Sequence, residues 1–314
     1  VKTPSRRRTL LGLLLLFLST LPTLSAADTP KNDDASRKKA RREMEKRVAK
    51  RIAGFKGKVF LFAKNIDTGE SYGVMPDAQV RTASTIKVPI MVEVFAQVAE
   101  GKLKWTDELP IVRRNENEDG GVLFEFTQGV KIPVRDAMRL MIVVSDNIAT
   151  NILLERITTD AVNARLESLG FKEIRSLRKI GGGADAKVRE ERQLQKFGIG
   201  IATPREMVRL LEMMERGELV SPEASKEMIA VLKRQQFHDG IGRRLKGIEM
   251  ATKPGALDHL RSDIGIFYTK AGRVVMAVTC EDIPEVDYRS EAEGHLMLAD
   301  LSEMLLDGLA TRQP

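Results

Sequence analysis

Cysteine and histidine are scarce in this 314-residue chain, and each scarcity removes a class of chemistry. One cysteine, Cys280, precludes an internal disulfide, so stability must come from packing. It closes the apolar run Val274-Val275-Met276-Ala277-Val278, which reads as a buried strand, and no histidine or asparagine constellation surrounds it to make a nucleophile. His238, His259 and His295 are widely separated, and neither Gly-x-Ser-x-Gly nor His-Glu-x-x-His occurs, which argues against a Ser-His-Asp triad and against a zinc site. No metal and no cofactor is expected. The glycines at 181 to 183 and at 198 and 200 lack the strand-turn-helix context and the lysine of a phosphate loop. Internal repeats are missing, and no segment after residue 27 is apolar enough to span a bilayer.

What is present is an ordinary globular composition, 42% hydrophobic and 30% charged. The first 27 residues differ: Lys2, Arg6, Arg7 and Arg8 precede an apolar run from Leu10 to Leu18, and Ser25-Ala26-Ala27 follows. That is the layout of a secretory signal peptide, and the run is too short for a membrane anchor. Ser5-Arg6-Arg7-Arg8-Thr9-Leu10-Leu11 fits twin-arginine and general export alike. The expected protein is exported, periplasmic or secreted, with no membrane attachment after cleavage. Removing residues 1–27 takes four positive charges from the formal +7 and leaves +3. With no RNA- or DNA-binding motif, that residue of charge does not point to nucleic acid. A small-molecule substrate and a monomeric state are expected.

Residues Asp28 to Asp34 read as polar and unstructured, and Ser36 to Ile52, rich in Lys, Arg, Glu and Ala, as an exposed helix. Lys58 to Lys64, the turn residues Asp67-Thr68-Gly69-Glu70, and Ser71 to Val74 make a hairpin. From about Thr85 to Arg216 the apolar spacing is helical, as in Ile86, Val88, Ile90, Met91, Val94 and Phe95. Thr203-Pro204 reads as a capped helix start. Strands return at Glu249 to Thr252, Asp263 to Thr269 and Arg273 to Cys280, before an amphipathic helix carrying Leu298, Leu301 and Leu305. The fold expected is α/β (α+β): an antiparallel sheet built from residues 28–81 and 246–314 and flanked by helices, with an all-helical domain, residues 82–245, inserted between them. The catalytic cleft is expected between the two.

Three short elements carry the chemistry. Ser84-Thr85-Ile86-Lys87 opens an apolar helix, so Ser84 and Lys87 fall one turn apart on one face, where the backbone N–H and the helix dipole favour an oxyanion. Two other Ser-x-x-Lys tetrads, starting at Ser36 and Ser176, lie in charged surroundings. In an apolar setting Lys87 loses basicity and becomes a usable base for a serine hydroxyl, which is a poor nucleophile unaided. Ser145-Asp146-Asn147 lies 61 residues after Ser84, between two apolar helical stretches, in a position that also suits a helix cap. Lys253-Pro254-Gly255 lies on a strand near the end of the chain.

A Ser-x-x-Lys at a helix start, a Ser-Asp-Asn and a Lys-x-Gly in this order resemble the class A β-lactamases and the penicillin-binding proteins related to them, across roughly residues 50 to 310. The resemblance implies that Ser84 is acylated, that Lys87 accepts its proton and that Ser145 relays a proton to the leaving nitrogen. It further implies that Asn147 holds the substrate's amide side chain and that Lys253 steadies Ser145 and a substrate carboxylate. The N–H groups of Ser84 and Ala256, beside Gly255, would form the oxyanion hole. Arg261 is a candidate for a second charge on the carboxylate.

The chain departs from the family pattern twice. Pro254 stands where the family has a hydroxyl residue, removing that donor and a backbone N–H. The glutamate that activates the hydrolytic water, about thirty-five residues after Ser-Asp-Asn in class A enzymes, falls here in Ile180-Gly181-Gly182-Gly183-Ala184-Asp185. Asp185, Glu190 and Glu191 are the candidates for that base. The expected activity is that of a β-lactamase-like serine hydrolase, which forms an acyl-enzyme with a β-lactam or related amide and hydrolyses it. The alternatives are a D,D-peptidase or esterase acting on cell-wall fragments, and a penicillin-binding protein that is acylated without efficient turnover.

Overall fold

The computed structural model describes residue 1 and residues 31–113, 120–182 and 192–310. Helix α1 (Lys31–Ala53) leads into strands β1 (Lys58–Asn65) and β2 (Ser71–Val74), which pair antiparallel through a turn with Gly69 at positive φ. A short strand, β3 (Val80–Arg81), precedes a 3₁₀ turn at Ala83–Ile86, which runs directly into α2 (Lys87–Ala99). Strands β4 (Glu108–Pro110) and β5 (Lys131–Pro133) form a small ribbon before α3 (Val134–Val143), α4 (Asn147–Ile157) and α5 (Thr159–Ser168). Then come β6 (Arg175–Ser176), β7 (Gly200–Ala202), α6 (Pro204–Glu215) and α7 (Pro222–Leu232). The chain finishes with β8 (Glu249–Leu257), β9 (Leu260–Thr269), β10 (Gly272–Glu281) and α8 (Glu293–Leu309).

Strands from both ends of the chain share one antiparallel sheet, in the order β2-β1-β10-β9-β8. Its faces follow the two-residue period of a strand. Phe62, Ile264, Ile266, Val275 and Ala277 face the helical core built on α2, α3, α4, α6 and α7, whereas Leu61, Ala63, Phe267, Met276 and Val278 face α1 and α8. The three C-terminal strands run longer than their apolar stretches suggest, because β8 extends through Lys253-Pro254-Gly255 to Leu257 and β9 begins at Leu260. Pro254 is accommodated on β8 because β8 is an edge strand, where a missing N–H costs least.

Two sequence expectations are corrected here. Helix α1 begins at Lys31, inside the stretch read as unstructured, and it is not a wholly solvated helix. Met44 and Val48, one turn apart, are buried against α8, with Ile52 half-buried below them. A stripe this narrow, among so many charges, gives almost no amphipathic signal. Arg47 to Asp307 (2.8 Å) and Arg51 to Asp300 (2.7 Å) fasten the same face. The expected cap at Thr203 is observed, its hydroxyl accepting from Glu206 N–H at 3.3 Å, with Pro204 opening α6.

Candidate active site

The 3₁₀ turn carrying Ser84 is held on two sides. Thr82 N–H donates to Gly200 O of β7 at 3.1 Å. On the other side β8 passes so close that a Cβ on Gly255 would stand 2.8 Å from Ser84 N, 3.0 Å from Thr82 O and 3.0 Å from Ala83 Cβ. Ala83, at φ 46, takes a left-handed conformation unusual for a residue with a Cβ, which is tolerated only where the surroundings over-determine the backbone. The consequence is a Ser84 fixed between two strands at the mouth of α2.

Across from it, Ser145 also has positive φ, 56, at the sharp junction of α3 and α4. Asp146 makes that junction rigid. Fully buried, it caps α4 by accepting from Ala149 N–H at 2.8 Å, and its second oxygen accepts from Val122 N–H at 2.7 Å and Leu123 N–H at 2.8 Å. The segment at Gly120 and Gly121 is thereby pulled against Ser145-Asp146-Asn147: a Cβ on Gly121 would lie 2.3 Å from Asp146 Oδ2, and Asn147 N–H donates to Gly120 O at 3.1 Å.

Two buried lysines converge on Ser145. Lys87 Nζ donates to Ser145 O at 2.6 Å, Asn147 Oδ1 at 2.9 Å and Ser145 Oγ at 3.2 Å; Lys253 Nζ donates to Ser145 Oγ at 2.9 Å and Pro254 O at 2.7 Å. Both side chains are fully buried. Desolvation, with the Lys253 charge beside it, pushes the Lys87 amine well below its usual range; the carboxylate of Asp146 opposes this and is outweighed. Desolvation, opposed by the Asp263 carboxylate, brings Lys253 down to about 7. The arrangement supplies an amine of weakened basicity one turn from a serine hydroxyl, and a second hydroxyl bridged between two amines.

These groups open onto a cleft of about 370 Å³ lined by Ser84, Ser145, Asn147, Gly255 and Ala256. It runs on along the edge of β8 to Phe237, Gly240, Ser262, Asp263, Tyr288 and His295. Phe237 and Tyr288 are exposed, flanking this far end. None of these outer residues carried a sequence signal, because they come from loops and strand ends with no shared motif; the Gly120-Gly121 pair was the one visible mark of the segment that Asp146 holds.

Ser84, Ser145, Asn147, Gly255 and Ala256 therefore line one cleft, with Lys87 and Lys253 buried behind Ser145. Arg261 does not join them. Register pairs Lys253 with Ile264, so the even-numbered residues of β9 share the face of Lys253 and Arg261 turns to the α8 side. There its two terminal nitrogens donate to backbone carbonyls, those of Leu257 and Leu260 at 2.6 Å and that of Asp287, and the guanidinium lies 4.4 Å from the Tyr288 ring. The expectation that Arg261 serves a substrate carboxylate fails on this one-residue parity; its neighbour Ser262 reaches the cleft instead.

Asp185, Glu190 and Glu191 lie outside the described residues. The start of their loop is fixed, however. Asn151 of α4 grips Ile180 twice, accepting from its N–H and donating to its carbonyl, both at 2.9 Å. Of the six residues, Ile180 to Asp185, in which the family's glutamate was sought, the first thus carries an aliphatic side chain on a firmly held backbone. Among the described residues no cluster of three or more His, Cys, Asp or Glu is arranged to hold a metal ion, and no helix is long and apolar enough to cross a membrane.

Comparison with known proteins follows the same lines. The sequence model of the beta-lactamase enzyme family matches residues 43–309. The beta-lactamase regulatory protein BlaB of Streptomyces cacaoi is 23% identical over 285 residues, 78% of this chain and 91% of its own. A beta-lactamase from Sphaerobacter thermophilus superposes with a TM-score of 0.72 at 28% identity, over 84% of this chain and 95% of that one. A PBP-A variant in an acyl-enzyme complex with penicillin G shares the fold, with a TM-score of 0.71 at 23% identity over 85% and 95% of the two chains.

Proposed function

This protein belongs to the beta-lactamase enzyme family, and from that premise we propose that it is a serine hydrolase whose Ser84 is acylated by a β-lactam or a related amide of the D-alanyl peptide type. The observation that carries the reading is the convergence of two buried lysines of lowered basicity on Ser145 Oγ, at the cleft that Ser84 also lines. Lys87 accepts the Ser84 proton as Oγ attacks the substrate carbonyl, and the oxyanion is met by the N–H groups of Ser84 and Ala256. Collapse of the tetrahedral species breaks the C–N bond, and the Ser145 hydroxyl gives its proton to the leaving nitrogen while recovering one from the lysines. Water then cleaves the ester. Lys253 is the charge available to a substrate carboxylate, helped by neither Arg261 nor a hydroxyl at Pro254. The same reading takes the protein to act outside the cytoplasm, on the strength of its leader-like residues 1–27.

A second reading is favoured by Ile180. An aliphatic residue cannot activate water, so turnover depends on Asp185, Glu190 or Glu191; without them the protein is a covalent penicillin binder with slow release. Intact-mass spectrometry over time with a penicillin and a chromogenic cephalosporin separates the two. A short-lived adduct with rapid colour change means a working hydrolase, and a lasting adduct means a penicillin-binding protein. Ser84→Ala is expected to abolish the adduct while leaving stability within about 1 kcal/mol of the parent; an adduct that survives this change removes Ser84 as nucleophile.

A further inference from the structure

We propose that the outer face of α1 docks this protein onto an anionic phospholipid bilayer. From Lys39 onward the seven cations of α1 fall into two rows. Arg41, Arg47 and Arg51 turn inward and are occupied, by Glu45, by Asp307 and by Asp300 with Glu293 respectively. Lys39, Arg42, Lys46 and Lys50 form the second row. Their spacing of three, four and four residues places them on one face, opposite buried Met44 and Val48. All four are exposed, and none has an ion-pair partner among the described residues.

Beyond residue 30, charge along the chain is segregated to match. Residues 31–53 hold ten Lys and Arg against four Asp and Glu, a net +6, whereas residues 54–314 hold 37 against 39, a net −2. The basic pole of the molecule is therefore this one helix. Its free row is straight and runs about 16 Å along the helix axis, a shape that meets a flat surface along its whole length. The hollow between Lys38, Lys39, Arg42, Glu43 and Lys46 is wide and shallow, about 410 Å³, and holds no aromatic side chain, so it offers basic charge to an extended anionic surface rather than an enclosed seat for one small anion. The positions beside these cations hold Glu43, Ala49 and Ala53, with no large apolar side chain to insert between acyl chains. Attachment is electrostatic, with the strength of juxtamembrane basic clusters and the same sensitivity to salt. Because α1 and α8 cover one face of the sheet and α2 packs on the other, a molecule held by α1 keeps Ser84 away from the lipid.

The test is sedimentation of the protein, in the form an exporting cell yields, with phosphatidylcholine vesicles containing or lacking phosphatidylglycerol. Binding is expected only to the vesicles containing phosphatidylglycerol, and to fall at least about tenfold when the four residues are changed together to Ala or when salt is raised from 0.05 to 0.5 M. The fourfold change to alternative cations (Lys39→Arg, Arg42→Lys, Lys46→Arg, Lys50→Arg) should preserve it. Equal binding to neutral vesicles, or undiminished binding by the Ala variant, overturns the proposal. So does binding to soluble polyphosphate without binding to the charged vesicles. An unchanged melting temperature shows that the Ala variant remains folded, and the change lies outside the cleft, so acylation of Ser84 should proceed at the parent rate.

Discussion

Replacing Gly255 with Ala probes the construction of the cleft more sharply than removing any polar group in it. The added methyl would stand 2.8 Å from Ser84 N and 3.0 Å from both Thr82 O and Ala83 Cβ. Ordinary contacts begin near 3.4 Å, so β8 and the Ser84 turn must separate by about 0.5 Å. All three neighbours are backbone or Cβ atoms, and none can swing aside. The turn is also tied to β7 through Thr82 N–H and Gly200 O, so the movement cannot be passed on cheaply. Overpacking of this kind costs about 1–3 kcal/mol of stability. The effect on chemistry should be larger, because an oxyanion donor displaced by half an ångström loses much of its worth; removing such a donor outright costs about 10²–10³ in rate. We expect Gly255→Ala to slow adduct formation by about 10–100-fold, read by time-resolved intact mass, with a modest fall in melting temperature. Gly54→Ala, whose Cβ meets nothing closer than 3.7 Å, serves as the neutral control. A destabilised Gly255→Ala protein that is acylated at the parent rate would falsify the assignment of the oxyanion site to the Ser84–β8 junction.

Three further outcomes follow from the same geometry. Asp146→Ala strands three backbone N–H groups and removes the cap of α4, so it should cost at least about 3 kcal/mol in chemical denaturation; a loss under about 1 kcal/mol would mean that the 120–123 segment is held by something else. Asp263 is buried, with Oδ1 unpartnered, and desolvation raises its carboxyl to about 7. The folded state then holds a proton that the unfolded state releases between about pH 4 and 7, so this group's stabilisation declines as pH rises through that window. Asp263→Asn removes the decline, and its melting temperature relative to the parent should climb between pH 5 and pH 8; a constant difference contradicts the shift. Ile180→Glu puts a carboxylate on the backbone that Asn151 grips, and should shorten the lifetime of the penicillin adduct at least about tenfold; an unaltered lifetime means that position 180 does not face the ester.

Legibility in the sequence depended on whether a feature was local. Ser84 and Lys87 could be placed together because four residues on one helical turn fix their own geometry, and the hairpin at 58–74 because a turn cluster lay between two apolar runs. The pairing of Lys253 with Ser145 was not local. It is set by the register of β8 against β9 and by the left-handed turn at Ser145, neither of which leaves a pattern in composition, and it entered through resemblance to a known family. Arg261 shows the limit most plainly: on a strand, one residue decides between the cleft and the far side of the sheet, and spacing from Lys253 alone does not reveal which. The docking of α1 was hidden for another reason, since two buried side chains among ten cations scarcely register as an apolar face.

The two halves of the proposed reaction are built to different standards of rigidity. Every group assigned to acylation sits on an element fixed from two sides: Ser84 between β7 and β8, Ser145 by the three hydrogen bonds to Asp146, and Lys87 and Lys253 by burial that also sets their basicity. Deacylation needs one more group, a carboxylate near the ester, and the loop that would bring it is anchored at Asn151 through the backbone of Ile180, whatever side chain stands there. A family can therefore gain or lose turnover by changing that loop without disturbing the machinery of acylation. On the proposed reading, the lifetime of a Ser84 adduct, rather than its formation, is then the quantity that separates a hydrolase from a penicillin binder.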